Sequence, residues 1–533
     1  MASLWLIPWL LACRASDPAS PASPPVDTAS PTPHATGAST GGTGRVVPPT
    51  ADSGLPVDTA ASAHTGATPL RLRVHRVSED VHLAWRARYD AASGPVQVHL
   101  SGPDGTDRTW VDDDGDMLLL GLHADTEYEL SLTPSGEGAQ PTTQSFTTLP
   151  LPEPFPILEV LGHDPARVSP GHLLVPASHP THGLLIILDE DLEPVWVSVA
   201  ERPWYAAELI DDRIVGIHRG NIHWVTLDGE QQSMGHGRLL HHDVVPWDVG
   251  YLALGEGLVD VDDYPTSITS PTELGPATLL DQHLVTFDAK GKQVAELAMT
   301  DVLPVDRCAW EGQKVENGGK DWLHLNSLAP TGDGRLVLSA RTQSTLIAVD
   351  PAGTISWMLG DPMGWSDTVA HHLLTPVGDL TWPEDQHAPH YDPVTGDLFL
   401  FDNGGRRFTP YEAPPAESGE YSRLVHYRID ETAGTVEERW SWQPDPPVFA
   451  PIMGDADPQP DGHVLSVFTW LLETGGVAHE ELGWGRKASR IIEVVPGEED
   501  AVLDLRLRSD DDLPDGWWTY RVQRIPRIQD VAW

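Results

Sequence analysis

Cysteine is nearly absent from this chain. Only Cys13 and Cys308 occur, and no C-x-x-C pair exists, which excludes thiolate zinc sites and dithiol redox chemistry. Basic residues are also scarce: 33 Lys+Arg stand against 79 Asp+Glu, a net charge of -46. Such a field repels nucleic acid and anionic membranes, so no nucleic-acid partner is expected. An anionic substrate would need a local basic site inside the acidic shell. Beyond the N-terminus no apolar run is long enough to span a bilayer as a helix, and no segment carries a convincing amphipathic helical period. What remains is 533 residues, 40% hydrophobic, with 49 Pro and 48 Gly to make turns. That is enough for two or three domains and a large core.

The opening stretch "MASLWLIPWLLACRAS" is short and apolar and ends in Leu10-Leu11-Ala12-Cys13, without the usual basic residue at its start. It resembles a bacterial lipoprotein signal over residues 1–13, with Cys13 as the lipidated residue. The expected location is the bacterial cell envelope, as an exported lipoprotein of the periplasm or the outer-membrane surface. Membrane contact is expected only through that N-terminal lipid anchor, and a homodimer is compatible with the sequence. Cys308 is then left as a small buried apolar residue. Residues 14–68 are rich in Pro, Ala, Ser, Thr and Gly and cannot bury enough apolar surface to offset chain entropy. They read as a disordered tether.

Residues 69–150 alternate apolar and polar in short runs such as "LRLRVHRV", "VQVHLSG" and "EYELSLT", the signature of a small β-sandwich. Trp85 on an early strand, Tyr128 after a turn and the closing "FTTLPLP" resemble a fibronectin type III module, with a spacer or cap as its expected job.

Residues 155–533 repeat a different unit. Six segments have the form apolar strand, Asp/Gly turn, apolar strand: "GLLIILDEDLEPVWVSV", "NIHWVTLDGEQQSM", "HLVTFDAKGKQVAEL", "TLIAVDPAGTISWML", "LVHYRIDETAGTVEERWSW" and "RIIEVVPGEEDAVLDLRL". Most are preceded by a further strand pair. Four strands per unit, six times, predicts an all-β chain with a six-bladed β-propeller behind an N-terminal β-sandwich.

In a propeller the first strand of each blade lines the central channel. Aligning the strand pairs "HHDVVPWDVGYLAL", "HLNSLAPTGDGRLVLSAR" and "QHAPHYDPVTGDLFLFDNG" places His242, His324 and His387 at matching positions, roughly eight to ten residues before the turn glycine. His241 is the alternative to His242. In "MGDADPQPDGHVLSVF", Asp455 stands where the others carry histidine. A lone channel histidine is usually a hydrogen-bonded filler, and three at matching positions point to one shared ligand. Single histidines such as His123, His218 and His426 are assigned to packing or surface.

Three imidazoles can bind a metal or act as nucleophile, acid and base around an anion. Arg341, at the end of the second strand of the "HLNSL" unit, decides between them if it faces the channel. A guanidinium opposes a dication and suits sulfate or phosphate. Asn326, two residues after His324, would share its strand face and donate to the same anion. The acidic runs "VDDDGD" and "DVDDY" lack the spacing of a calcium loop and read as solvated loops.

"DWLHLNSLAPTGDGRLVLSARTQSTLIAVDPAGTISWMLG" closely resembles the core signature of the bacterial arylsulfate sulfotransferases: Asp-x-x-His-x-Asn-Ser, then Ser-x-Arg, then Ile-x-Trp-x-Leu-Gly. "QHAPHYDPVTGDLFLFDNGGRR" resembles the family's Gln-His segment with Phe-Asp-Asn-Gly, "HHDVV" fits its inner strand, and Tyr520-Arg521 in "WWTYRVQRIP" is similar to its closing segment, which makes Tyr520 and Arg521, with His241 and Asp455, candidate substrate-binding residues. The resemblance implies a six-bladed propeller that moves a sulfuryl group from a phenolic sulfate ester to a phenol, without a nucleotide donor. It implies His387 as the nucleophile, carrying a transient sulfohistidine. His324, His242 and Arg341 would hold sulfate oxygens or shuttle the proton, with Asn326 assisting. It implies ping-pong kinetics, aryl sulfates and phenols as small-molecule partners, and neither cofactor nor metal. The alternatives are a metal-dependent propeller enzyme using the three histidines and a non-catalytic, surface-anchored binding propeller.

Overall fold

The computed structural model describes residues 70–533 apart from 91–93, 136–138, 236–238, 269, 308, 310, 406–419, 474–484, 510–514 and 532–533. The expectations for the signal 1–13, for Cys13, for the tether 14–68 and for Cys308 lie outside the described residues.

Six sheets, antiparallel except for one short parallel pair each in blades 3 and 5, follow one another along the chain as blades. Among the described residues there is no α-helix. Each of the six repeated hairpins lies in one blade on the outer side of its channel-facing strands. In blade 4, for instance, Thr345–Val349 and Ile355–Leu359 lie outside Leu325–Pro330 and Leu336–Ala340. The strands are nearly continuous apolar runs because both faces are covered by neighbouring blades. Val337, Leu346 and Ala348 of blade 4 pack with Leu398, Leu400, Val425 and Tyr427 of blade 5. Burying each such side chain contributes about 1.5–3 kcal/mol.

The ring closes in a way the repeat count does not foresee. Blade 6 takes its outermost strand, Ile157–His163, from the start of the propeller. Blade 1 has three local strands, His172–His179, His182–Leu188 and Pro194–Ala200, and its innermost positions are filled from the C-terminal end by Trp518–Thr519 and Gln523–Ile525. Tyr520 and Arg521, between those two short strands, therefore reach the channel.

Blade 3 is elongated. Its strands Gly250–Ser267 and Ser270–Asp288 form a long hairpin beyond the sheet. "DVDDY" lies inside the first of these strands, so it is not a loop: Asp260, Asp262 and Asp263 are exposed, Tyr264 is buried, and the pairing register shifts between Val261 and Tyr264.

The N-terminal module has two sheets, Arg73–Arg76, Trp85–Arg88 and Asp116–Leu119 in one, Asp107–Asp112, Val96–Ser101, Glu127–Pro134 and Thr142–Thr147 in the other. Their alternating inner residues Val96, Val98, Leu100, Leu130 and Leu132 close a core around Tyr128. The module adds Val81–His82 to the outer edge of blade 1, against Val197 and Ser198, which covers an otherwise open sheet edge. Arg86 reaches Asp228 of blade 2 at 2.6 Å. His123 bridges Asp104 of its own module and Asp189 of blade 1, each at 3.0 Å.

Candidate active site

The innermost strands of blades 2 to 5 each carry a β-bulge at the channel. Residues with positive φ accompany them: Ala206 (45°), His242 (54°), His324 (48°) and Ala388 (47°). Left-handed backbone at non-glycine residues is uncommon, and a bulge re-aims the side chains beside it. Here it turns them from the blade interfaces toward the axis. The matching of positions is close but not uniform: His242 and His324 are themselves the left-handed residues, whereas His387 comes just before one.

His242, His324 and His387 converge. The rings of His242 and His324 meet edge to face, centroids 4.9 Å apart. Tyr520 links His387 to this pair, its ring 6.1 Å from the His242 ring and 6.4 Å from the His387 ring. Its hydroxyl donates to the Asn326 carbonyl at 2.8 Å, so the C-terminal strand forms a floor under the imidazoles. His241 is the outer neighbour: its Nδ1 lies 2.6 Å from Nδ1 of His242. His242 is the buried one of the two.

Each imidazole has a different electrostatic setting. Burial, then the neighbouring imidazoles and Arg341, holds His242 well below the ordinary histidine range. His387 is also held well below it, by burial first and then by Arg341 and His324; it is neutral. His324 goes the other way. Burial opposes its charge, but Asp321, whose Oδ2 lies 2.5 Å from its Nδ1, outweighs that and raises its pKa. One imidazole pKa pushed down and a neighbouring one pushed up is the acid–base separation that two-step transfer chemistry needs.

Arg341 stands beside His324, its backbone N–H donating to the His324 carbonyl at 3.1 Å. Its guanidinium donates to Glu311 at 2.5 Å and lies 3.6 Å from Asp385. It is only 3% exposed, and burial, which disfavours its charge, is outweighed by those carboxylates, so its pKa is raised. Lys314 holds the second oxygen of Glu311 at 2.5 Å. Burial pushes Asp385 up to about 6, against the pull of Arg341.

The segment bearing Glu311 and Lys314 is braced by the long hairpin of blade 3. Tyr264 donates to the Gly312 carbonyl at 2.7 Å, the Gln313 amide donates to the Pro265 carbonyl at 2.8 Å, and Lys320 sits 4.9 Å from the Tyr264 ring centroid. Glu311, Asp321, Asp385 and Asn403 were not singled out from the sequence. Asp321 has a signal in the i,i+3 Asp-x-x-His spacing and Asn403 in the Phe-Asp-Asn-Gly motif; Glu311 and Asp385 lie in connecting segments that periodicity does not reach.

Three expectations need correction. Asn326 does not share the face of His324, because the bulge between Leu325 and Ser327 breaks the period of two. Its amide donates to the Gln386 carbonyl at 2.8 Å and ties blade 4 to blade 5. Asp455 does not replace a histidine at the cluster: it accepts from His390 at 3.0 Å, farther along the channel. Arg521 is likewise spoken for, donating to Asp243 at 2.6 Å and to Glu208 at 3.1 Å. His390, Glu208 and Arg521 line a cavity of about 480 Å³ with apolar walls that include Leu328, Pro389 and Phe399. Among the described residues, one group could gather around a metal ion: Glu316, Asp321 and His324, with ligand atoms within 4.8 Å of one another. It contains one of the three histidines, not all of them.

A family model described as Arylsulfotransferase (ASST) matches residues 226–521. The arylsulfate sulfotransferase AssT of Escherichia coli O6:H1 is 31% identical over 142 residues, 23% of this chain and 23% of that protein. AssT of Lelliottia amnigena is 28% identical over 183 residues, 31% of this chain and 30% of that protein. The matched region thus spans less than a third of either relative. A crystal structure of a Bacteroides caccae protein superposes with a TM-score of 0.35 at 13% identity, covering 63% of this chain and 94% of the other. The propeller assignment rests on the strand order above, and the family on the matched segment, which contains His242, His324, Arg341, His387 and Tyr520 and takes in more than half of the 533 residues. The chain belongs to the arylsulfotransferase family.

Proposed function

We propose that the protein moves a sulfuryl group from an aryl sulfate ester to a phenol by way of a sulfohistidine on His387, with ping-pong kinetics and no nucleotide donor. The observation that carries this reading is the meeting of three imidazoles from three blades beside one buried guanidinium. A neutral imidazole nitrogen is a good nucleophile toward sulfur. A protonated His324 supplies the acid that a leaving phenolate, pKa about 10, requires. Arg341 offsets charge on the sulfuryl oxygens. His242, neutral and in ring contact with His324, accepts a hydrogen bond or passes a proton without adding charge.

The direct test uses 4-nitrophenyl sulfate as donor and phenol as acceptor, with no metal added. Nitrophenol release that depends on phenol, and a sulfo-adduct on the peptide containing His387, are the expected results. Absence of turnover across several aryl sulfates would sink the assignment. We further infer that the N-terminal module is fibronectin type III-like, from its three-plus-four strand split, and that residues 1–13 direct lipidation at Cys13 and export to the cell envelope. Metabolic labelling with a palmitate analogue, lost in Cys13→Ser, checks the anchor. A homodimer is checked by light scattering.

A further inference from the structure

We propose that Asn403 is a positioning residue: it locks His387 in the tautomer that carries its proton on Nδ1, and so makes Nε2 the atom that attacks sulfur. The inference rests on the sulfohistidine reading for its last clause and on geometry alone for the rest.

Asn403 directly follows the strand Asp397–Asp402, neighbour of the strand that begins with His387, and it is fully buried. The orientation of its amide is set by partners that cannot be reversed. Its Nδ2 donates to two backbone carbonyls, Ala450 and Met453, both at 2.8 Å. A carbonyl has no proton to give, so the nitrogen must face that way and Oδ1 must face the ring. Oδ1 lies 2.8 Å from Nδ1 of His387. An amide oxygen only accepts, so Nδ1 carries the proton. The Asp385 carbonyl, 3.0 Å from the same nitrogen, demands the same answer.

The other side of the ring agrees independently. The Met453 backbone N–H donates to Nε2 at 3.2 Å, which requires a lone pair there. Met453 has φ of 61° and Gly454 of 104°. A Cβ at Gly454 would come within 2.6 Å of the Phe401 ring, so the chain can bring that N–H so close only with glycine at this place. Three acceptor or donor groups from separate segments therefore select one tautomer. The ring nitrogen that is free of a proton is set by the hydrogen bond the other makes.

The transfer step balances on this assignment. The Nε2 lone pair gives up its hydrogen bond from the Met453 N–H and forms the N–S bond, and the S–O bond to the aryl group breaks. Its electron pair leaves on the phenolate oxygen, which takes the proton of the His324 imidazolium. The sulfurylated ring keeps Nδ1–H and holds a positive charge, spread toward Asn403 Oδ1 and the Asp385 carbonyl. In the second half, the acceptor phenol gives its proton to His324, its oxygen takes sulfur, and Nε2 recovers its pair. A neutral amide steadies the charged ring less than a carboxylate would, which leaves the N–S bond labile.

The test is ¹⁵N NMR of the full chain with labelled histidine, His387 being assigned by its loss in His387→Asn, read beside steady-state kinetics. Wild type should show an unprotonated Nε2 and a protonated Nδ1. Asn403→Leu should admit the other tautomer and lower kcat by about 10²-fold with little change in KM. Asn403→Asp keeps an acceptor for Nδ1 but loses both donations to the Ala450 and Met453 carbonyls; it should keep the tautomer and move the acidic limb of the pH profile upward, at a kcat between those of Asn403→Leu and wild type. A protonated Nε2 in wild type, or an unchanged tautomer in Asn403→Leu, overturns the proposal. Should Asn403→Leu fail to fold, an acidic limb unmoved in Asn403→Asp overturns it. The expected tautomer without turnover of any aryl sulfate would instead remove the sulfohistidine reading and leave the lock intact.

Discussion

Nδ1 of His324 and Oδ2 of Asp321 lie 2.5 Å apart, three residues apart in the chain and both at the channel. The carboxylate overcomes burial and raises the His324 pKa. If His324 is the acid, activity is full below its folded pKa and falls as pH rises through it. Asp321→Asn removes the supporting charge and should move this basic limb to lower pH, toward the ordinary histidine value. Stability shares the sign: the ion pair's contribution is complete below the unfolded histidine pKa, about 6.5, and is lost as pH rises through the raised folded value. Rate profiles and thermal unfolding against pH measure the two effects separately.

Arg341 is expected to discriminate charge from shape. Arg341→Lys keeps the charge but loses the planar fork, and kcat/KM should fall about 10²–10³-fold, as for loss of one preorganised donor, with the fold retained. Arg341→Leu leaves Glu311 and Asp385 buried without it. Loss of one partner of a buried pair costs about 3–5 kcal/mol, so this variant should be visibly less stable in urea titrations.

Arg521 is expected to act through structure. It is 7% exposed and held by Asp243, whose carboxylate also accepts the Leu328 backbone N–H at 2.7 Å. Arg521→Leu strands that carboxylate and should destabilise by about 3–5 kcal/mol. Tyr520→Phe, which loses one hydrogen bond to the Asn326 carbonyl, should cost only about 1–3 kcal/mol and keep most transfer activity.

His390 and Asp455 make a separate pH-dependent contact. Burial opposes the imidazolium, but Asp455 and Asp457 raise its pKa to about 9. The stability it lends is complete below about 6.5 and disappears as pH rises through about 9. His390 is one-third exposed, so the effect is modest. Melting temperatures between neutral and alkaline pH should drop less in Asp455→Asn than in wild type.

The outer hairpins were legible because a strand buried on both faces, a short Asp/Gly turn and a second strand leave a pattern that repeats. The channel was legible only in part. His242, His324 and His387 could be aligned from their distance to a turn, since that distance is set by strand length. Asn326 was misread because the bulge at Leu325–Ser327 interrupts alternation, and a bulge has no periodic signature. Glu311 and Asp385 reach Arg341 from connecting segments whose path depends on tertiary contacts, such as Tyr264 with Gly312. Tyr520 and Arg521 enter the channel because the C-terminal end completes blade 1, a pairing between chain segments more than 340 residues apart.

That late pairing has a consequence for biogenesis. A ribosome that has released five blades has made His242, His324, Arg341 and His387 but not the aromatic platform on which two of those rings lie. The segments Trp518–Thr519 and Gln523–Ile525, which follow all six blades in the sequence, also take part in closing the ring. The pairing that closes blade 1 and the arrival of Tyr520 under the rings are thus one event, and a chain interrupted before Trp518 would hold His242, His324 and His387 in an open, unassembled arc.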